Sequence, residues 1–139
     1  MSIILDVEAA TAFDDLTRSN ADDLLVRQDG GAWPNHFRQS RFIPGVEYVR
    51  ANRVRSKLME ETSRVFDEVD VIVQPAFHRL YEGNLTGHPL IVLPSGFTDR
   101  NQPQAFSILG GLYREADVLR VAHAFQSATD HHKQRPPLH

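Results

Sequence analysis

An α/β fold is the class this sequence predicts, and three observations predict it. Short apolar runs, "VDVIV" at 69–73, "LIVL" at 90–93 and "AFSIL" at 105–109, carry little polar alternation, the pattern of strands buried on both faces as in a parallel sheet. A long stretch between them and the N-terminus repeats its apolar residues near the helical period instead. Prolines and glycines then fence the runs: Pro89 and Pro94 bracket Leu90–Leu93, and Gly87 and Gly96 lie just outside, which reads as a central strand with turn punctuation.

In chain order, the N-terminal part predicts helices over Glu8–Leu16 and Ala21–Gln28, each acidic early and basic late, with Asn20 as the cap of the second. From Asp29 to Pro44 the glycine, proline and aromatic content predicts an irregular connection, pinned to a core by Trp33, Phe37 and Phe42. The longest helix is expected from Val46 to Glu68, with Val46, Val49, Val54, Leu58, Val65, Phe66 and Val69 recurring near helical spacing. A strand follows at Val69–Val73, stopped by Pro75, then a loop over Ala76–Gly83 and the fenced strand Leu90–Leu93. The turn "TDRNQP" leads to a third strand, Ala105–Leu109, and a last helix runs from Arg114 to Thr129 with Val118, Val121, Ala122 and Phe125 on one face. The tail "KQRPPLH" ends in prolines. Three strands buried on both faces would leave two open edges, so the pattern expects neighbours that this sequence does not contain.

Composition bounds the function. The chain has 139 residues, 41% hydrophobic and 24% charged, enough for a core, and residues 1–139 are expected to form a single unit. A net charge of −3 gives no bulk attraction to nucleic acid or an anionic membrane, so neither is expected as a partner. Without cysteine there is no disulfide, thiolate nucleophile or Cys-based metal site. The opening "MSIILDVEAA" lacks the basic and long apolar regions of a signal peptide, and no span reaches transmembrane length, so a cytoplasmic protein is expected.

Few residues carry a chemical pattern. Ser95 in "LPSGF" follows a strand on a turn, yet lacks the G-x-S-x-G frame of a nucleophile elbow, and a turn serine is the preferred reading. The seven histidines show no H-E-x-x-H spacing, so no metal site and no cofactor are expected; His131 and His132 read as a solvated pair after a helix C-terminus. Arg50, Arg53, Arg55 and Lys57 read as a solvated face. The adjacent pairs Asp14–Asp15 and Asp22–Asp23 diverge on a helix and form no site by spacing alone.

The ordered set "NLTGHPLIVLPSGF", "FSILGG", "EADVLRVAHAFQ" and "ATDHHK..PPL" resembles the C-terminal end of the amidase-signature family, close to its glutamyl-tRNA amidotransferase A-subunit branch. Upstream, "SRFIPGVEYVRANRVRSKLM" and "DVIVQP" resemble the long helix and following strand of that family, so the likeness covers about Val7 to Leu138. The resemblance implies the C-terminal part of an α/β/α fold, a mixed sheet flanked by helices, and hydrolysis of a carboxamide C–N bond by a Ser-Ser-Lys set. That set lies in a Gly-Ser-rich N-terminal part which this sequence lacks. Lys57 and Lys133 are the only lysines, and neither has a serine-rich partner loop, so no catalytic residue carries over to this chain. Gln74 replaces the threonine of the family's usual Thr-Pro strand end, and Ala76–Gly83 is short where the amidotransferase branch carries a longer loop. A general amidase parent therefore fits better than an amidotransferase.

Three functions are compatible with these residues: an amidase segment, inactive alone, that needs an N-terminal half or self-associates and sees a small carboxamide only when complemented; a non-catalytic interaction or scaffold module; and a small hydrolase built on Ser95.

Overall fold

The computed structural model describes residues 2–78 and 80–136, and for Ser2 the backbone alone. Within them the chain forms two compact units, Met1–Ser56 and Lys57–His139.

The first unit is helical. Helix α1 covers Ser2–Ala12, α2 Asp14–Arg18, a single 3-10 turn Ala21–Leu24, and α3 Trp33–Ser40. Its core includes Ile4, Ala10, Ala32 and Phe37, with the Phe37 ring stacked between Phe13 at 5.1 Å and Trp33 at 5.7 Å. Three expectations need correction. The helix expected to open at Glu8 starts six residues earlier, at Ser2. The helix expected over Ala21–Gln28 is only the 3-10 turn, and Asn20 does not cap it: its backbone is left-handed (φ 59°) and its side chain makes no cap bond, a conformation asparagine tolerates in a chain reversal after α2. The connection expected to be irregular contains α3, because Pro34 occupies the start of that helix, where its missing N–H costs nothing. Phe37 pins the segment, whereas Phe42 is 85% exposed.

Helix α4, Gly45–Val65, is the long helix expected, within a few residues at each end. Its apolar positions are another matter. Val46, Val49, Val54 and Val65 are all exposed, and Thr62 is its only buried residue.

The second unit holds the sheet: β1 (Val71–Pro75), α5 (Leu80–Thr86), β2 (Leu90–Phe97), β3 (Pro103–Gly110), α6 (Glu115–Ala128) and a 3-10 turn, His131–Lys133. All three strand positions stand where expected, so the α/β class holds. The strands pair antiparallel in the order β1-β3-β2, so the parallel pairing expected of these runs is not found among the described residues, and the fenced strand is an edge rather than the centre. Edge position also explains why Pro94 does not stop β2. An edge strand has one side free of ladder bonds, and the register shifts between Pro94 and Gly96, where Gly96 adopts φ 114°, so a bulge carries the strand on to Phe97. The β2–β3 turn is closed by the Thr98 hydroxyl, which accepts from the N–H groups of Arg100 (3.2 Å) and Gln102 (3.1 Å).

Register assigns the faces. Val73, Ile108 and Ile91 align across the ladder, as do Phe106 and Leu93, and this face receives Val118, Ala122 and Phe125 of α6. Gly110 is required by that packing, since a Cβ there would lie 2.3 Å from Val118 Cγ2. The other face carries Ile72, Leu109 and Leu90 in one row and Gln74, Ser107 and Val92 in the next. Gly83 of α5 lies over the first row, with Leu109 Cδ1 and Leu90 Cδ1 within ordinary contact of a Cβ built on it. The expected loop over Ala76–Gly83 thus runs into a helix, α5, though Arg79 lies outside the described residues. Burial on both faces, expected of every strand, belongs to β3 alone: Ser107, Ile108 and Leu109 are buried, whereas Val73 is 60% and Val92 48% exposed.

Candidate functional site

Two places in the second unit gather chemically capable side chains. The first is an open groove of about 440 Å³ between the α6 face of the sheet and α6 itself, lined by Val73, Phe106, Ile108, Val121 and Phe125 with Ser95 and His131 at its polar end. The bulge at Gly96 brings β2 under the 3-10 turn: a Cβ on Gly96 would stand 3.5 Å from His131 Cε1 and Nδ1. His131 also stacks on Phe125 at 6.1 Å, and its Nδ1 is buried without a partner among the described residues. His131 and His132 are therefore half-buried, not the solvated pair that a helix C-terminus predicts, because the chain folds back after Ala128 and lays them on β2.

This brings a serine and a histidine into one groove, a juxtaposition that a separation of 36 residues conceals from sequence. It does not make an activated nucleophile. No base hydrogen-bonds Ser95 among the described residues, and Asp130, the nearest acid in sequence to His131, bonds Lys133 Nζ at 2.7 Å instead of orienting the imidazole. The groove is largely apolar, with two polar groups.

The second place is a buried polar chain on the opposite side of the sheet. Thr62 of α4 donates to Glu82 Oε1 at 2.9 Å, and the Thr86 hydroxyl donates to the Glu82 carbonyl at 2.7 Å. With its proton committed there, Thr86 Oγ1 accepts from His88 Nδ1 at 2.7 Å, which leaves Nε2 as a buried acceptor without a partner among the described residues. Burial lowers the His88 pKa below its ordinary 6.5, against a smaller upward pull from Glu82, and Phe66 stacks on the ring at 5.3 Å. Two further buried polar groups, Gln74 and Ser107, are cross-strand partners two residues along the ladder from Ile72 and Leu109. Sequence reading missed this chain, since threonines and a histidine separated by a strand and a helix have no spacing signature.

The remaining candidates lie in ion pairs or at the surface. Arg38 bridges the adjacent acids Asp22 (2.7 Å) and Asp23 (2.6 Å), so this pair converges on one guanidinium although the residues diverge along the chain. Asp14 contacts both Arg18 and Arg41, and Asp15 is exposed. Arg50, Arg53 and Lys57 are exposed, and Lys57 faces Glu61 at 3.9 Å. Among the described residues no group of three His, Asp or Glu side chains is placed to hold a metal, and no helix is long and apolar enough to cross a membrane.

No family model matches the chain. Curated relatives do, among them A subunits of glutamyl-tRNA(Gln) amidotransferase. The chain is 36% identical over 111 residues to the one from Synechococcus sp. (strain JA-3-3Ab), 37% over 112 residues to that of Geobacillus stearothermophilus, and 38% over 112 residues to that of Bacillus velezensis. Each match covers 66% of this chain but only 22–23% of the relative, so the chain spans less than a quarter of the length of these proteins.

Proposed function

We propose, from the premise that this chain is a segment of the amidase-signature family, that it is the C-terminal part of a carboxamide hydrolase, inactive alone and completed by a separate N-terminal half. In this reading residues 1–139 are one partial amidase domain whose two compact units are finished by that half, working in the cytoplasm.

The observation that carries the proposal is the state of the lysines. A Ser-Ser-Lys mechanism needs an amine held out of water beside its serines, so that it gives up its proton near neutral pH. Lys57 has a side chain 77% exposed, and Lys133 one 67% exposed and bonded to Asp130. Neither is a base. Ser95 has no activating partner among the described residues, and losing an activated serine costs on the order of a million-fold in a serine protease. The exposed valines of α4, β1 and β2 support the same reading, because such surfaces fit a neighbour that the short match leaves out.

The test is hydrolysis of a panel of simple aliphatic and aromatic amides by this chain, by Ser95→Ala, and by this chain mixed with the N-terminal remainder of a relative. The proposal expects turnover only in the mixture, and the same turnover there with Ser95→Ala. Turnover by the lone chain that Ser95→Ala abolishes would establish a small Ser95 hydrolase instead. A mixture that binds but stays inactive would favour a non-catalytic scaffold module.

A further inference from the structure

Helix α4 is held on the second unit at its C-terminal end, and the hold is largely polar. Thr62 is the one buried residue of α4, and its hydroxyl donates to Glu82 Oε1 of α5. One turn further on, Phe66 lies over Gly111, with its Cβ and Cγ 3.5 Å from a Cβ built on that glycine, and its ring stacks on His88 at 5.3 Å. Thr86 joins these two attachments, since it donates to the Glu82 carbonyl and accepts from His88 Nδ1. The end of α4 thus rests on a carboxylate and an imidazole that share one threonine.

That imidazole has no place for a second proton. His88 is 4% exposed and its Nε2 is buried without a partner among the described residues, so an N–H there would meet neither water nor an acceptor. Few charges stand near enough to offset the cost. Strands β1, β2 and β3 contain no ionisable residue, Tyr81 of α5 is exposed, and Glu61, Arg64, Asp67 and Glu68 around the end of α4 are exposed too. Arg114, past β3, is paired with Asp70 and Asp117. Among the described residues Glu82 is the charge that acts on the ring, and its pull is smaller than the effect of burial.

We infer that Thr62, Phe66, Glu82, Thr86 and His88 form a proton-operated latch, which holds the end of α4 while His88 is neutral and releases it when His88 is protonated. Water reaches Nε2 most simply if the Phe66 ring lifts, and Phe66 follows the last turn of α4, its N–H bonded to the Ser63 carbonyl. Thr62, four residues back on the same side of the helix, then comes away from Glu82 with it. The released state takes up the proton near the ordinary 6.5 and the latched state only below it, so release is suppressed above that pH and grows as pH falls through it.

The chain has no cysteine, so engineered pairs can carry spin labels without interference. Labels at Glu61→Cys and Asn84→Cys, exposed sites on α4 and α5, follow the latch; labels at Gln104→Cys and Arg120→Cys, exposed sites on β3 and α6, follow the part of the unit that should not move. Distances are measured from about pH 7.5 downward in the full chain and in His88→Gln, beside an NMR titration of the His88 imidazole in the unlabelled chain. A single short distance is expected between positions 61 and 84 at neutral pH. Below 6.5 a longer one should join it, its share relative to the short one rising about tenfold per pH unit, the response of one proton, until His88 has titrated. The distance between 104 and 120 should stay constant, and His88→Gln should keep the short distance throughout. A 61-to-84 distance that stays fixed while His88 titrates would overturn the latch. So would a longer distance that appears equally in His88→Gln, or both pairs lengthening together, the mark of global unfolding. Because titration and distance are both read in the chain with His88 intact, the latch is decided even if His88→Gln fails to fold.

Discussion

Helices α4 and α6 announce themselves in the same way in the sequence, and they meet opposite fates. Both repeat apolar residues near the helical period, yet α6 buries Val118 and Ala122 against the sheet, whereas α4 leaves Val46, Val49 and Val54 in solvent and buries only Thr62, through a hydrogen bond to Glu82. Periodicity reports that a face is meant to be covered; it does not report whether the covering element belongs to the same chain. In α6 the cover is β2 and β3. In α4 most of it is missing from the described residues, as expected of a chain that spans under a quarter of its relatives.

The largest effect that would break this contrast lies under α6. In Gly110→Ala the new Cβ falls 2.3 Å from Val118 Cγ2, so the helix must shift off the strand, and urea unfolding should show a loss of about 3 kcal/mol, the upper end for overpacking. A change within about 0.5 kcal/mol would mean that α6 is held as loosely as α4.

A pH effect of intermediate size sharpens the attachment of α4 through Thr62, part of the polar chain that ends at His88. Because burial holds this imidazole below its ordinary 6.5, the unfolded chain takes up a proton near that pH which the folded chain refuses. The contribution of His88 to stability is thus complete above about pH 6.5 and is lost as pH falls below it. The variant His88→Gln, titrated by denaturant at each pH, should lose this decline; an unchanged profile would place its origin elsewhere.

The smallest effect is on α4 itself. Val54 is 64% exposed, so Val54→Lys should alter the stability of the isolated chain by no more than about 0.5 kcal/mol. A loss of about 2 kcal/mol in thermal unfolding would show that the valine face is covered within this chain after all.

The same contrast explains what the sequence disclosed. The three strands, α4 and α6 were legible because long periods and short β-branched runs are strong local signals. The direction of pairing was not: runs patterned for deep burial in a large sheet look alike whether parallel or antiparallel, and here two of them are edges. Helices α3 and α5 were hidden by their own composition, "WPNHFRQS" and "LYEGNLT", in which proline and glycine weaken the helical signal although Pro34 falls at a tolerated first turn. Of the candidate groove, Ser95 was visible as a turn residue, but its approach to His131 depends on the Gly96 bulge and the backward fold after α6, both tertiary outcomes. The closing residues "PLH" of the tail lie outside the described residues.

Whether this chain is completed by a separate half is decided by sedimentation velocity of the chain mixed with the N-terminal remainder of one of its amidotransferase relatives. A one-to-one complex at micromolar concentration is expected. A lone chain that sediments as a monomer, unaffected by the added half at any concentration tried, would contradict it.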